Sequence, residues 1–500
     1  LENIFGIILE SMFGTYALLG AAFGVIWGMI GGALPGISPS ISMALILPLT
    51  YTMEPVVGII TLAAVYCGAE YGGSIPAILI NTPGTNAAGA TTIEGYQMKL
   101  SGRAGEALGI SLLSGVIGGL IGLFMLVVLI GWLADVALLF TPASFFAIGV
   151  LGLSVIASLS EESLLKGLIP GILGLMIATI GNDPVSGANR FTFGSIDLMN
   201  GISPIVVMVG LFAVSELLRQ SGLPDWPKAD AITKLKLPSF KMWRERLAIP
   251  HLIAAFWGTL EGIIPGAGGT VAAFISFNEA KRWSRHKEEW GKGNPEGVAA
   301  PECANNVVTG TTLIPLLAFG IPGSNSSAIL LGGFLLHGMR PGPMLFVKSP
   351  DVVYGLFGGL FFANIFLLIF GLVSLKLCLW LVNRPKPYVL AIVYVLILSG
   401  AYSLEHSLFE PTLVLAFGVV GYLMRYLGFT PLPMVLGVIL GFLVETNFRR
   451  SLEISGGNYS IFVGDPASII LLSMSLLFIG ISVFRMIKRR INRPQDTTAT

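Results

Sequence analysis

Long apolar runs separated by short polar turns make up nearly the whole chain. A membrane-spanning helix needs about 20 mostly apolar residues. Runs of that kind cover 15–34, 107–131, 143–159, 167–181, 201–218, 247–264, 352–382, 388–404, 411–424, 431–447 and 466–484. Between them lie stretches that are just as apolar but studded with Gly, Pro, Ser and Asn: 37–50, 56–98, 270–280 and 298–338. These are too interrupted for plain spans. They predict discontinuous helices or re-entrant hairpins, which lipid tolerates only where protein or a water-filled cavity satisfies the freed backbone groups. The pattern therefore predicts an all-α polytopic membrane protein with roughly 12 transmembrane segments. The longest polar stretch, 219–246, reads as a loop rather than a soluble domain.

The interruptions repeat. Residues 76–86 read Pro-Ala-Ile-Leu-Ile-Asn-Thr-Pro-Gly-Thr-Asn, and 315–325 read Pro-Leu-Leu-Ala-Phe-Gly-Ile-Pro-Gly-Ser-Asn, with both prolines, the glycine and the asparagine in register. An earlier pair precedes each copy, Gly-Gly-Ala-Leu-Pro-Gly at 31–36 and Glu-Gly-Ile-Ile-Pro-Gly at 261–266. An apolar chain that breaks its helices at matching points in two halves has the form of a transporter, with the breaks lining a polar site near the bilayer midplane. The organisation expected is a first transmembrane repeat over 1–220, a cytoplasmic loop over 221–246, a second repeat over 247–484 and a basic, then polar, cytoplasmic tail over 485–500.

Composition agrees with this reading and charge adds an orientation. The chain is 54% hydrophobic and 11% charged, where soluble domains carry roughly 25% charge. Its net charge of +1 gives no basis for a nucleic-acid partner. With the N-terminus outside, 24 of the 29 Lys and Arg residues fall on the inner side; only Arg190, Arg340, Lys348, Arg449 and Arg450 do not. That is the bias of the positive-inside rule, and it puts the N-terminus in the periplasm and the C-terminus in the cytoplasm. The loop after the first PG break, 50–55, has no basic residue, whereas its counterpart at 281–292 has five. The two repeats are thus expected to be inverted. No Lys or Arg precedes Lys99, and the first apolar run reads as a retained helix rather than a cleaved signal. Cys67, Cys303 and Cys378 are far apart and read as small core residues, not a disulfide or metal framework.

In Pro83-Gly84-Thr85-Asn86 and Pro322-Gly323-Ser324-Asn325, proline ends the incoming helix, glycine permits the turn, and Thr, Ser or Asn caps a new one. The start of a helix offers free N–H groups and partial positive charge, which suit a carboxylate. Two such ends suit a dicarboxylate or tricarboxylate; the plain alternative is a pair of kinked helices. The upstream breaks expose carbonyl oxygens, so Gly36, Ser38, Gly266, Gly268 and Thr270, with Asn305 and Thr309 nearby, are candidates for holding a coupling cation. Close helix packing through small residues explains them equally well. Glu70 and Glu302 stand beside the motif hairpins and are possible proton carriers, since a charge inside a membrane is costly without a use. His251, His286 and His406 fall near predicted interfaces and are expected to be solvated. There is no HExxH, GxSxG or Walker A pattern, and so no catalytic residues, metal ligands or ATP hydrolysis are expected.

At these residues the chain resembles the large membrane subunit of tripartite tricarboxylate transporters, the TctA family. Gly31 to Pro39 and Tyr71 to Asn86 resemble the first family signature; Gly262 to Gly269, Pro301 to Asn306, Phe319 to Asn325 and His337 to Pro343 resemble the second. The resemblance implies a bacterial inner-membrane secondary transporter that takes up carboxylates on an H⁺ or Na⁺ gradient and needs no other cofactor. It also implies a small four-helix membrane subunit like TctB and a periplasmic solute-binding protein like TctC. An anion channel, or a carboxylate carrier that works without a binding protein, would be the alternatives.

Overall fold

The structure is a computed structural model that describes residues 6, 14–158, 164–183, 186–228, 234–264 and 268–491. The first helices are α1 (Thr15–Ala33), α2 (Pro39–Thr50), α3 (Pro55–Gly72), α4 (Ser74–Ile80), α5 (Ala88–Leu100) and α6 (Ala104–Leu138). Then come α7 (Pro142–Ser158), α8 (Leu164–Ala178), a two-residue hairpin of β1 (Gly181–Asn182) and β2 (Asn189–Arg190), and α9 (Pro204–Ser221). The second half begins with α10 (Ala248–Ile263), α11 (Gly268–Trp283), α12 (Glu296–Thr311), α13 (Leu313–Phe319) and α14 (Asn325–Leu336). It ends with α15 (Pro350–Val373), α16 (Leu375–Val382), α17 (Lys386–Glu405), α18 (Phe409–Tyr426), α19 (Leu432–Ile454) and α20 (Pro466–Ile491). Among the described residues, eight helices are long and apolar enough to cross a membrane: α1, α3 with α4, α6, α9, α15, α17, α19 and α20. Four shorter apolar helices, α2, α7, α8 and α14, accompany them. The chain is an all-α polytopic membrane protein.

Two compact units interleave along the sequence. One contains Leu1–Leu138 and Ile205–Tyr422, the other Leu139–Pro204 and Leu423–Thr500. In the second unit α19 crosses α8 where Gly437 meets the Gly171 carbonyl and Gly174. Beside them, Arg190 and Arg449 are ion-paired with Asp183 and Glu445, Arg190–Glu445 at 2.6 Å and Arg449–Asp183 at 2.8 Å. Two of the five basic residues that depart from the charge bias are therefore neutralised locally.

The first unit carries both motifs, and glycine sets how closely its helices pack. Gly24 and Gly28 of α1 lie against backbone of α3 at Thr61 and Val65, while Gly68 of α3 lies against the Val25 carbonyl of α1. Helices in lipid associate by such contacts, because lipid leaves no hydrophobic force to drive them together. On α6, Gly118 and Gly122 meet the Cys303 and Val307 carbonyls of α12 in the same way.

The stems of the motifs differ from the sequence expectation. Residues 55–80 form a nearly continuous helix that bends at Gly73 and does not break there. Gly73 keeps right-handed angles (φ −63°, ψ −24°), and Pro76 falls in the first turn of α4, where a missing donor is tolerated. The stretch 37–50 is also a regular helix: Ser38 accepts the Ile41 N–H at 3.4 Å and Pro39 takes the first position.

Glu94 ties the two halves together. It is 1% exposed on α5 and accepts the backbone N–H groups of Gly291 at 2.5 Å, Gly293 at 2.9 Å and Asn294 at 2.9 Å, from the loop that leads into α12. Arg246 pairs with Glu289 at 2.7 Å in the same loop and holds its carboxyl below the ordinary range. His251 is not solvated as expected. It is 3% exposed, accepts the Trp243 indole N–H on Nδ1 at 3.1 Å, and so carries its hydrogen on Nε2 toward Ser114 Oγ at 2.8 Å.

Two stability outcomes follow from this packing. Gly84→Ala drives a methyl into the Gly32 carbonyl and should cost about 1–3 kcal/mol, whereas Gly131→Ala, with open space around it, should be neutral. Glu94→Ala leaves the two buried N–H groups of Gly293 and Asn294 without an acceptor at roughly 1–3 kcal/mol each, and Glu94→Gln should restore part of the loss. Thermal unfolding in detergent, followed by size-exclusion fluorescence, measures both.

Candidate functional site

Each motif forms an elbow between two helices, and the two elbows are built alike. Helix α4 ends on Asn81 and helix α13 on Gly320, residues in register, both in the left-handed conformation (φ 55° and 72°). The next residue closes the same loop in each copy: Thr82 N–H bonds the Pro76 carbonyl at 3.3 Å, and Ile321 N–H bonds the Pro315 carbonyl at 3.3 Å. The same position then accepts an N–H at the start of the following helix in each copy, as the N-cap itself in the second. Thr85 Oγ1 accepts the Ala88 N–H at 3.3 Å, and Ser324 Oγ accepts the Ser327 N–H at 3.1 Å. In the second elbow the Ser327 hydroxyl also accepts the Ser324 N–H at 2.8 Å, which completes a reciprocal capping box.

Packing beneath the elbows is matched too. A Cβ on Gly84 would strike the Gly32 carbonyl and come within 2.7 Å of Gly73. One on Gly323 would come within 2.5 Å of Thr312 and 3.0 Å of the Gly262 carbonyl. Gly32 and Gly262 belong to the upstream PG signatures, so each elbow rests on the helix end that its own half supplies. Pro322 is buried and Pro83 exposed; Thr85 and Ser324 are buried, whereas Asn86 and Asn325 are exposed in both copies. Each elbow thus turns its capping hydroxyl inward and its asparagine outward.

The stems α3 and α12 carry the contacts between the halves. Tyr66 OH lies 3.4 Å from Ser324 Oγ, the Cys67 thiol donates to Thr309 Oγ1 at 3.8 Å, and Asn305 Nδ2 donates to Glu70 Oε2 at 2.8 Å. Thr85 also hydrogen-bonds Glu70. Glu70, Thr85, Asn305 and Thr309 are therefore brought to one place along α3 and α12. Gly268 (φ 67°) borders Ser324, and Gly269 lies under the Asn305 amide. Thr270 is half-buried on the first turn of α11.

Other candidates fall elsewhere. Gly36 (φ 83°) packs against the Gln220 side chain of α9, and Ser38 is engaged with Ser40 at 2.9 Å. Gly266 lies outside the described residues. Glu302 is 1% exposed and accepts hydroxyl hydrogens from Thr91 and, at 3.1 Å, from Ser111, so it joins α12 to α5 and α6. Cys67, Cys303 and Cys378 are buried thiols. Tyr66 and Gln220 were not singled out by the sequence. Tyr66 stands one helical turn before Glu70, a spacing that puts both on one face; Gln220 lies in no motif.

Two curated relatives are similar to this chain, both from Agrobacterium vitis. One is an uncharacterized 52.8 kDa protein in the TAR-I ttuC' 3' region, 36% identical over 449 residues, covering 89% of each chain. The other is an uncharacterized protein in the TAR-II ttuC' 3' region, 32% identical over 233 residues, covering 47% of this chain and 96% of the relative. No solved structure matches the chain. The match to the family described as the tripartite tricarboxylate transporter TctA family runs over residues 18–436 and takes in both elbows and their stems. This chain belongs to the tripartite tricarboxylate transporter TctA family.

Proposed function

We propose that the chain is the large transport subunit of a carboxylate uptake system, driven by a cation gradient and working by alternating access. Tricarboxylates and dicarboxylates are the substrate class. A periplasmic solute-binding protein delivers the acid, and a small four-helix membrane subunit completes the complex in the bacterial inner membrane. The N-terminus is periplasmic, the C-terminus is cytoplasmic, and the two repeats are inverted.

One observation carries this reading: two elbows with the same backbone path, each placing a buried hydroxyl that accepts a helix-start N–H beside an outward-facing asparagine. The amide side chains and the free N–H groups of the first turn are donors, which a carboxylate needs. Attraction by dipoles and amides is weaker than a salt bridge, and a carrier must release what it binds. Family membership supports the substrate class and the two partners.

Asn86→Leu and Asn325→Leu should each cut uptake roughly 10- to 100-fold, the worth of a hydrogen bond to a charged group, with protein level and assembly unchanged. Radiolabelled citrate and succinate uptake in cells that also express the binding protein and small subunit measures this. Normal uptake by both variants would remove the asparagines from the site. Proteoliposomes separate the carrier from a channel. Accumulation should require an imposed Na⁺ or H⁺ gradient and stop when an ionophore collapses it; downhill flux with no gradient is the channel result.

A further inference from the structure

The contact between Glu70 and Asn305 is one-sided. Glu70 is 6% exposed and has no basic partner among the described residues; its hydrogen-bond partners are Asn305 and Thr85. Asn305 is 2% exposed, and with Nδ2 given to Glu70 its Oδ1 accepts nothing. That oxygen rests against Gly269, in the first turn of α11, next to the Gly268 that borders Ser324 of the second elbow. A buried amide oxygen without a donor is costly. The direction in which an asparagine points is decided by which neighbour can donate and which can accept.

With Glu70 ionised, the neighbour on one side is an acceptor only, so the amide must offer it N–H. The oxygen then faces α11 and the second elbow, where it repels an arriving carboxylate. With Glu70 protonated, the carboxyl becomes a donor, and the amide satisfies it by turning over. Oδ1 then accepts from Glu70, and Nδ2 presents its N–H groups toward Gly269 and the elbow. Gly269 has no side chain to block that turn.

We propose that Glu70 carries the coupling proton and that the Asn305 amide transmits its charge state to the substrate site, so that a proton and a carboxylate bind together. This rests on the carboxylate-uptake reading above and deepens it by assigning the coupling ion. The surroundings leave Glu70 to decide the switch. Helices α1, α2, α4 and α14 pack on α3 and contain no Asp, Glu, Lys, Arg or His. The titratable groups that interact with Glu70 are Tyr66 and Cys67 on its own helix and Glu302 on α12, the last already held by Thr91 and Ser111. Asp351 and Glu106 stand in the first turns of α15 and α6, and Glu106 is bonded to Arg103; Asp135 belongs to the far end of α6 and Glu296 to the first turn of α12.

The test uses the full chain in detergent with radiolabelled succinate or citrate, whichever it binds, above the range in which the acid itself titrates. Wild-type binding should strengthen roughly 10- to 100-fold on acidification, with a proton taken up from unbuffered medium as the acid binds. E70Q should flatten that profile, because its side chain cannot change charge, and N305L should weaken binding at every pH. A wild-type profile indifferent to pH, no proton uptake, or an E70Q profile that still titrates overturns the inference. So does uptake into proteoliposomes driven by Na⁺ and not by protons, a result that leaves the uptake function standing. If no gradient drives wild-type accumulation, the function itself fails and the inference with it.

Discussion

Unpaired backbone cannot be left bare inside a membrane, and the rest of this structure is arranged around that constraint. Each elbow ends one helix and starts another within a few residues, which frees carbonyls on one side and N–H groups on the other. The chain satisfies some of them twice by similar means. A left-handed residue lets the outgoing N–H groups fold back on a proline carbonyl, and a buried hydroxyl meets the N–H groups of the incoming turn. These bonds satisfy part of the freed backbone, and the remaining first-turn N–H groups, with the exposed asparagine, are left to meet something else.

Glycine makes room for this. The elbows sit directly on backbone: Gly84 on the Gly32 carbonyl and Gly73, Gly323 on Thr312 and the Gly262 carbonyl. An alanine at either position would lift the elbow off its support. The same close approach along α1 with α3 and α6 with α12 fixes where the stems run, and so where Tyr66, Cys67, Glu70, Asn305 and Thr309 meet. The PG signatures are therefore packing devices as well as breaks. The upstream signature supplies the surface on which the downstream one rests.

Much of this was legible from the sequence. The prolines, glycines and capping hydroxyls at 83–86 and 322–325 mark the ends and starts of helices by local chemistry, and those breaks lie where the sequence places them. The stems were not legible. Residues 55–80 looked too interrupted to span, yet glycine at 73 only bends the helix, because its angles stay right-handed. No local pattern announces that Glu70 faces Asn305 or Tyr66 faces Ser324. Those pairs are set by how α3 and α12 cross, and only the spacing of Tyr66 and Glu70 hints that both look the same way. His251 lies near the end of an apolar run and looked solvated. Trp243, eight residues upstream, and Ser114, on the distant α6, bury it in a fixed tautomer.

The way the halves are tied together bears on how they can move. Glu94 binds the helix after the first elbow to the loop before the second stem, and Glu302 binds that stem back to the same helix through Thr91. Helix α5 and the start of α12 are thus joined at two levels by buried carboxylates whose partners are all donors. A displacement of the first elbow that kept α5 intact would carry α12 with it, and with α12 the asparagine at 305 and the threonine at 309. Breaking either tie would strand a buried carboxylate or several N–H groups, a cost larger than that of moving the helices as one body. The two elbows are therefore expected to move as a linked pair.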